Sequence, residues 1–320
     1  MMTGMLTRLI GGRGLKQGLN ILIYHRVLDT QDPLFPGELT RQQFEWHLRC
    51  LAREFNVLPL TEAIERLQKN SLPTAAVAIT FDDGYADNYT VALPMLQRHG
   101  LPATVFVASG YLDGGMMWNE RVIHCIRTAP DGEIDLQALN LGAHQVSTPA
   151  SRTTTIRHLL GKLKYLDWQT REDQVNALVA HLGVTLPTDQ MMTSMQLRAM
   201  AASGIEIGGH TRLHPILATL SREQARQEMV DGRDELTALI GYQPRLFAYP
   251  NGKPRQDYHA EHAELARELG FTAAVSTAWG CARSNSPVFQ LPRFTPWDQS
   301  PFKFQLRLAR SFRSQTHDVV

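Results

Sequence analysis

Two short stretches of this chain carry residue types that can do chemistry together. In Thr80-Phe81-Asp82-Asp83-Gly84-Tyr85, two adjacent carboxylates follow an apolar run, Ala75 to Ile79. Neighbouring carboxylates repel, and both stay ionised only where a cation sits between them. Far downstream, Gly208-Gly209-His210-Thr211-Arg212-Leu213-His214-Pro215 offers two imidazoles four positions apart. One carboxylate and two imidazoles form a three-ligand set that leaves a position open on a catalytic zinc-type ion. The other carboxylate is then free to act as a base. The chemistry so specified is metal-assisted hydrolysis.

Other groups gain meaning only beside these. His25, in Tyr24-His25-Arg26, follows a short apolar strand and can serve as the proton donor that such a hydrolase needs. Arg245 to Gly252 reads as a strand ending in a Pro-Asn-Gly turn. There a main-chain N–H can be presented to a substrate oxygen, because glycine permits close main-chain approach. Arg293, at the end of Leu291-Pro292-Arg293, can orient a carboxylate. A rival pair, His259 and His262, lies among Glu261, Glu264 and Glu268 and reads as a solvated helix face.

The elements that must position these groups alternate between strand and helix. Strands are expected at Leu19 to Tyr24, Ala75 to Phe81, Ala103 to Ala108, Ile205 to Ile207, Leu246 to Tyr249, Thr272 to Ser276 and Val288 to Leu291. Helices are expected from Thr40 and Thr61, over Ala86 to His99 with a kink at Pro94, from Ser221, and over Tyr258 to Leu269. Such alternation specifies an α/β fold with a mostly parallel sheet. In a barrel of parallel strands every strand-to-helix loop opens on one face, so His25, Asp82-Asp83, His210 and Asn251 would meet there. The reading is a distorted (β/α) barrel over residues 19–300, with a mostly helical insertion at 113–193. Basic amphipathic segments flank it at 1–18 and 301–320.

Composition narrows the class further. A length of 320 residues suffices for one barrel. A net charge of +1 gives no electrostatic footprint for nucleic acid. Cys50, Cys125 and Cys281 are too scattered for a disulfide framework or a Cys-x-x-Cys metal site and read as buried thiols. No run reaches the roughly 18 apolar residues of a membrane span. The N-terminal segment lacks the apolar core of a secretory signal. A cytoplasmic chain is expected, with basic ends able to touch the inner face of a membrane.

Together the segments resemble the polysaccharide deacetylase family, which includes chitin, peptidoglycan and biofilm poly-N-acetylglucosamine deacetylases. Thr80 to Tyr85 matches the first motif, His210 to His214 the second, and Leu246 to Gly252 is similar to the third. The resemblance implies a divalent metal, Zn2+ with Co2+ or Ni2+ as substitutes, held by Asp83, His210 and His214. It makes Asp82 the catalytic base and the Asn251 N–H an oxyanion donor. Two departures stand out: Ala248 and Asn251 occupy places where the family carries arginine and tyrosine. Arg293 is expected to take over the arginine's role of steadying Asp82. The proton-donating histidine is assigned to His25, as in the permuted motif order of the biofilm enzymes. The implied activity is removal of N-acetyl groups from an amino-sugar glycan, oligosaccharide or lipid-linked sugar. Alternatives are an O-acetyl esterase, a deformylase acting on a lipid-linked sugar, and a non-catalytic carbohydrate binder. A glycosidase is disfavoured, because its carboxylates must flank a bond at about 5 Å or more.

Overall fold

A computed structural model describes residues 11–298 and 300–320. The expected amphipathic segment at 1–18 therefore lies largely outside the described residues. Ten strands are named in chain order: β1 (Leu19–Tyr24), β2 (Asn56–Val57), β3 (Ala76–Phe81), β4 (Thr104–Val107), β5 (Glu133–Leu136), β6 (Gly142–Gln145), β7 (Glu206–Gly209), β8 (Leu246–Ala248), β9 (Ala273–Trp279) and β10 (Leu291–Arg293).

Seven of them form a sheet in the order β1-β3-β4-β7-β8-β9-β10, every pair parallel, with β2 beside the start of β3. The ring closes just past β10. Ile23 N donates to the Phe294 carbonyl at 3.0 Å, and Phe294 N donates to the Ile21 carbonyl at 2.7 Å. The architecture is thus the distorted (β/α) barrel read from the sequence. Its strands are buried on both faces, as parallel strands covered by helices must be. Alternate residues point inward: Leu19, Ile21, Ala76, Ala78, Phe106, Ala248 and Val275 share one cluster. The ring of Phe106 fills the place a Cβ of Gly208 would take, at 2.3 Å, which explains the glycine two positions before His210.

Sequence-predicted caps are present. Thr40 with Gln43 opens the helix Arg41–Glu54, and Ser221 with Gln224 opens Arg222–Ile240, each as a reciprocal capping box. Four expectations need correction. The Ala86 to His99 helix has its expected bounds but is not α-helical throughout: a π-helical stretch, Asn88–Ala92, lies within it ahead of Leu93–His99. Pro94, which lacks an N–H, stands two residues after this π-helical stretch, and such departures from the α ladder accompany a proline inside a helix. The last strand starts at Leu291 rather than Val288. The helix expected from Tyr258 starts at Ala260. The His259/His262 pair is only half solvated. His262 is buried and its Nδ1 accepts the His259 N–H at 2.9 Å, capping that helix, while burial lowers its ring pKa to about 4.

The insertion contains helices Trp118–Thr128, Pro149–Leu163 and Trp168–Leu182 around a separate apolar cluster. It also contains an antiparallel hairpin of β5 and β6 that periodicity did not reveal. The C-terminal helix Pro301–Ser311 docks through Phe304 and Leu308, with Phe312 beyond it, and stacks Phe304 on His47 at 3.9 Å. All three cysteines are free, and burial pushes the Cys281 thiol up to about 12. Among the described residues no helix is long and apolar enough to cross a membrane.

Candidate metal centre

The strands deliver their loops to one rim. Asp82 and Asp83 follow β3, His210 follows β7, Asn251 lies just past β8, and Arg293 ends β10. His25, the residue after β1, stands exposed at the mouth of the same groove. That groove holds about 550 Å³ and is walled on the far side by Trp118, Glu120, Leu160 and Lys164 of the insertion.

At its floor, one donor atom from each of Asp83, His210 and His214 lies within 4.8 Å of the others. Asp83 Oδ1 is 3.3 Å from His210 Nε2 and 3.4 Å from His214 Nε2. The His210 Nδ1 is 2.7 Å from the Ala248 carbonyl oxygen. A carbonyl only accepts, so Nδ1 carries the proton and Nε2 keeps its lone pair toward Asp83. Asp83 Oδ1 is buried without a hydrogen-bond partner. A buried, orphaned carboxylate oxygen between two ring nitrogens is costly unless a cation completes it. This arrangement fits a divalent ion held by one carboxylate and two imidazoles.

Electrostatics agree with that reading. Burial alone would raise the Asp83 carboxyl, but the His210 ring and the charges of His214 and His25 hold it well below the usual carboxylate range. Burial drops His214 to about 4, against the pull of Asp83, so its ring is neutral at pH 7. Burial would also lower His210, yet Asp83 and Asp82 outweigh it and raise that ring.

Backbone strain gathers at the same place. Asp83, Thr211, His214 and Asn251 all have left-handed φ, at 77°, 62°, 52° and 59°. Side chains other than glycine rarely hold this conformation, and such residues cluster at working sites.

Asp82 is in a different state from its neighbour. Arg293 grips it in two parallel bonds, Nη1 to Oδ1 and Nη2 to Oδ2, each 2.7 Å. Arg293 also donates from Nε to the Ser276 carbonyl at 2.9 Å. A register shift between β9 and β10 lies at this point, with Leu291 opposite Val275 and Arg293 opposite Trp279. Such irregularities re-aim side chains. Burial would raise the Asp82 carboxyl, but Arg293 and then His210 keep it lowered and ionised. The carboxylate-orienting role expected of Arg293 therefore has its geometry, delivered from β10 across the barrel rather than from position 248.

Asn251 lines the groove, and its carbonyl accepts from Thr277 Oγ1 at 2.7 Å. His25 is held through its backbone, since Asn88 Nδ2 donates to its carbonyl at 2.7 Å. Asp87 fixes the next two residues, accepting from Arg26 Nε at 2.8 Å and Val27 N at 3.1 Å. Sequence reading missed Asp87 and Asn88. Their closeness to Asp83 in Asp-Asp-Gly-Tyr-Ala-Asp-Asn was the available signal. It also missed Trp118 and Lys164, which no local pattern marks.

Comparison with known proteins agrees with this geometry. The family model "Polysaccharide deacetylase" matches residues 69–145 and 169–274. The chain belongs to the polysaccharide deacetylase family. It is 23% identical over 277 residues to YxkH of Bacillus subtilis (strain 168), which carries a polysaccharide deacetylase name; the match covers 86% of this chain and 70% of that one. Among solved structures, it is similar to the Streptococcus pyogenes deacetylase PplD in complex with acetate (TM-score 0.61, 20% identity, 91% of this chain and 98% of that one). It is also similar to IcaB from Ammonifex degensii (TM-score 0.57, 21% identity, 92% and 97%). A third is a de-N-acetylase from Aggregatibacter actinomycetemcomitans (TM-score 0.58, 18% identity, 90% and 99%).

Proposed function

We propose that this chain is a metal-dependent hydrolase that removes N-acetyl groups from an amino-sugar-containing glycan or glycan precursor. The observation that carries the reading is the pairing on one rim of an orphaned Asp83–His210–His214 triad with a separately clamped, ionised Asp82. A binder of sugars needs neither the buried orphan nor the clamp.

A divalent ion held by Asp83, His210 and His214 would supply Lewis-acid polarisation of the amide carbonyl and a lowered pKa for a water. Asp82 takes the proton of the attacking water. Arg293 keeps both Asp82 oxygens oriented and prevents the carboxylate from swinging into the ligand set. The Asn251 main-chain N–H is offered to the oxygen that gains charge. His25, exposed at the groove mouth, hands a proton to the departing nitrogen, giving a free amino sugar and acetate.

The test is acetate release from N-acetylglucosamine oligomers. Turnover should vanish with chelator and return with Zn2+, Co2+ or Ni2+; a rate indifferent to chelator contradicts the proposal. An amine is a poorer leaving group than an alcohol, so His25→Ala should slow N-acetyl cleavage more than O-acetyl cleavage. Equal slowing would remove the acid role from His25.

A further inference from the structure

Between the histidine ligands, the amides and carbonyls of Arg212 and Leu213 are all hydrogen-bonded. The Arg212 and Leu213 amides both donate to Glu228 Oε2, at 3.1 and 2.8 Å, and the Arg212 amide is shared with the Glu228 carbonyl at 3.1 Å. The Arg212 carbonyl accepts from Gly110 N at 2.9 Å, and the Leu213 carbonyl accepts from Tyr111 Oη at 2.9 Å. Within the loop, Thr211 Oγ1 donates to the His210 carbonyl at 2.6 Å and accepts from His214 N at 3.0 Å. Both Thr211 and His214 hold left-handed φ, so the loop is strained and needs external restraint.

That restraint comes from one face of the helix Arg222–Ile240. Glu228, Gly232 and Glu235 stand four and three residues apart, which puts them in one row along the helix. Glu228 takes the two amides. A Cβ at Gly232 would lie 2.6 Å from the Thr211 carbonyl carbon and oxygen, so only glycine lets the loop seat there. Glu235 accepts from Arg212 Nε at 2.7 Å and from Ser109 Oγ at 2.6 Å. Glu228 touches neither the groove nor a ligand atom. Its carboxylate takes both the Arg212 and Leu213 amides, and its carbonyl shares the Arg212 amide, so its side chain alone holds the Leu213 amide.

We propose that Glu228 is a positioning residue for the metal centre. By binding the Arg212 and Leu213 amides it holds the strained loop so that His214 Nε2 faces Asp83 and His210 before any ion arrives. This rests on the metal reading of the triad but is independent of the substrate. Outer partners of metal ligands typically account for about 10- to 100-fold in metal affinity.

The experiment is Zn2+ affinity of the full chain, measured by competition with a chromophoric chelator, with thermal unfolding of apo and Zn2+-loaded protein alongside. Glu228→Ala should weaken Zn2+ by about 10- to 100-fold. It should also shrink the gap between loaded and apo unfolding temperatures, since ligand stabilisation follows affinity. Glu228→Gln keeps an acceptor oxygen and should restore much of the affinity. Should Glu228→Ala not fold, Glu228→Asp, one methylene too short to hold both amides, should show the same loss in smaller degree. Wild-type Zn2+ affinity in the folded Ala or Asp variant overturns the proposal, even with a lowered apo unfolding temperature, because that is the signature of structural support alone. A wild-type chain that takes up no ion would fail differently, removing the functional reading first.

Discussion

The barrel rim and the insertion face each other across one groove, and they are built on opposite principles. The rim concentrates cost: left-handed φ at Asp83, Thr211, His214 and Asn251, and buried unpartnered atoms at Asp83 Oδ1 and His214 Nδ1. The insertion has left-handed residues, Asp113 and Asn140, and buried unpartnered atoms at Arg121, Trp168, Arg171 and Glu172, but none of these residues lines the groove. Trp118 and Leu160 sit on regular helices over the insertion's own apolar cluster, Lys164 follows the end of the second of these helices, and Glu120 accepts from Tyr85 Oη at 2.9 Å. A site that must hold an ion and a base in fixed positions stores strain in its loops. A surface that only shapes a groove can be made from regular helices. On the proposed function, chemistry belongs to the rim and substrate fit to the insertion.

The assignment breaks most easily on the rim. Asp82→Asn removes the base but none of the three metal ligands. Turnover should fall by about a hundredfold or more, with bound metal per chain unchanged. A variant retaining near-normal turnover would return Asp82 to a structural role. Across the groove the effect should be smaller and of another kind. Lys164→Ala should raise KM severalfold with kcat nearly unchanged, the pattern of lost ground-state contact. A fall in kcat as large as that of Asp82→Asn would erase the division between the two walls.

The smallest effect concerns the packing beneath the rim. His47 is buried, accepts from or donates to Tyr24 Oη at 3.1 Å, and stacks on Phe304. Burial lowers its ring to about 3, with Arg307 adding to the effect. Its folded pKa is depressed, and its unfolded pKa is about 6.5. The neutral ring's contribution is therefore complete above about pH 6.5 and is lost as pH falls toward 3. Denaturant midpoints should decline over that window, and His47→Gln should flatten the decline. An unchanged slope would place the acid sensitivity elsewhere.

The rim was legible in the sequence because its chemistry comes from local clusters at strand ends. Asp82-Asp83 and His210/His214 each announce a loop, and strand-helix alternation directs those loops to one face. Arg293 was reachable only by asking what replaces the arginine absent at Ala248. The answer depends on barrel closure, which brings residue 293 beside residue 82. Glu228 and Asp87 were not legible, since each acts on main-chain atoms of another segment and no spacing records that. The insertion was read as mostly helical. Its β5–β6 hairpin was missed because these four-residue strands pair only with each other and carry few apolar residues. His262 was misread because three nearby glutamates concealed that its own ring turns inward.

The central claim is that Asp83, His210 and His214 share one divalent ion. Anomalous diffraction at the zinc edge, from crystals grown with Zn2+, tests it directly. The account predicts a peak within about 2.3 Å of Asp83 Oδ1, His210 Nε2 and His214 Nε2. A peak bound elsewhere, with these three atoms left in contact only with each other, would contradict it.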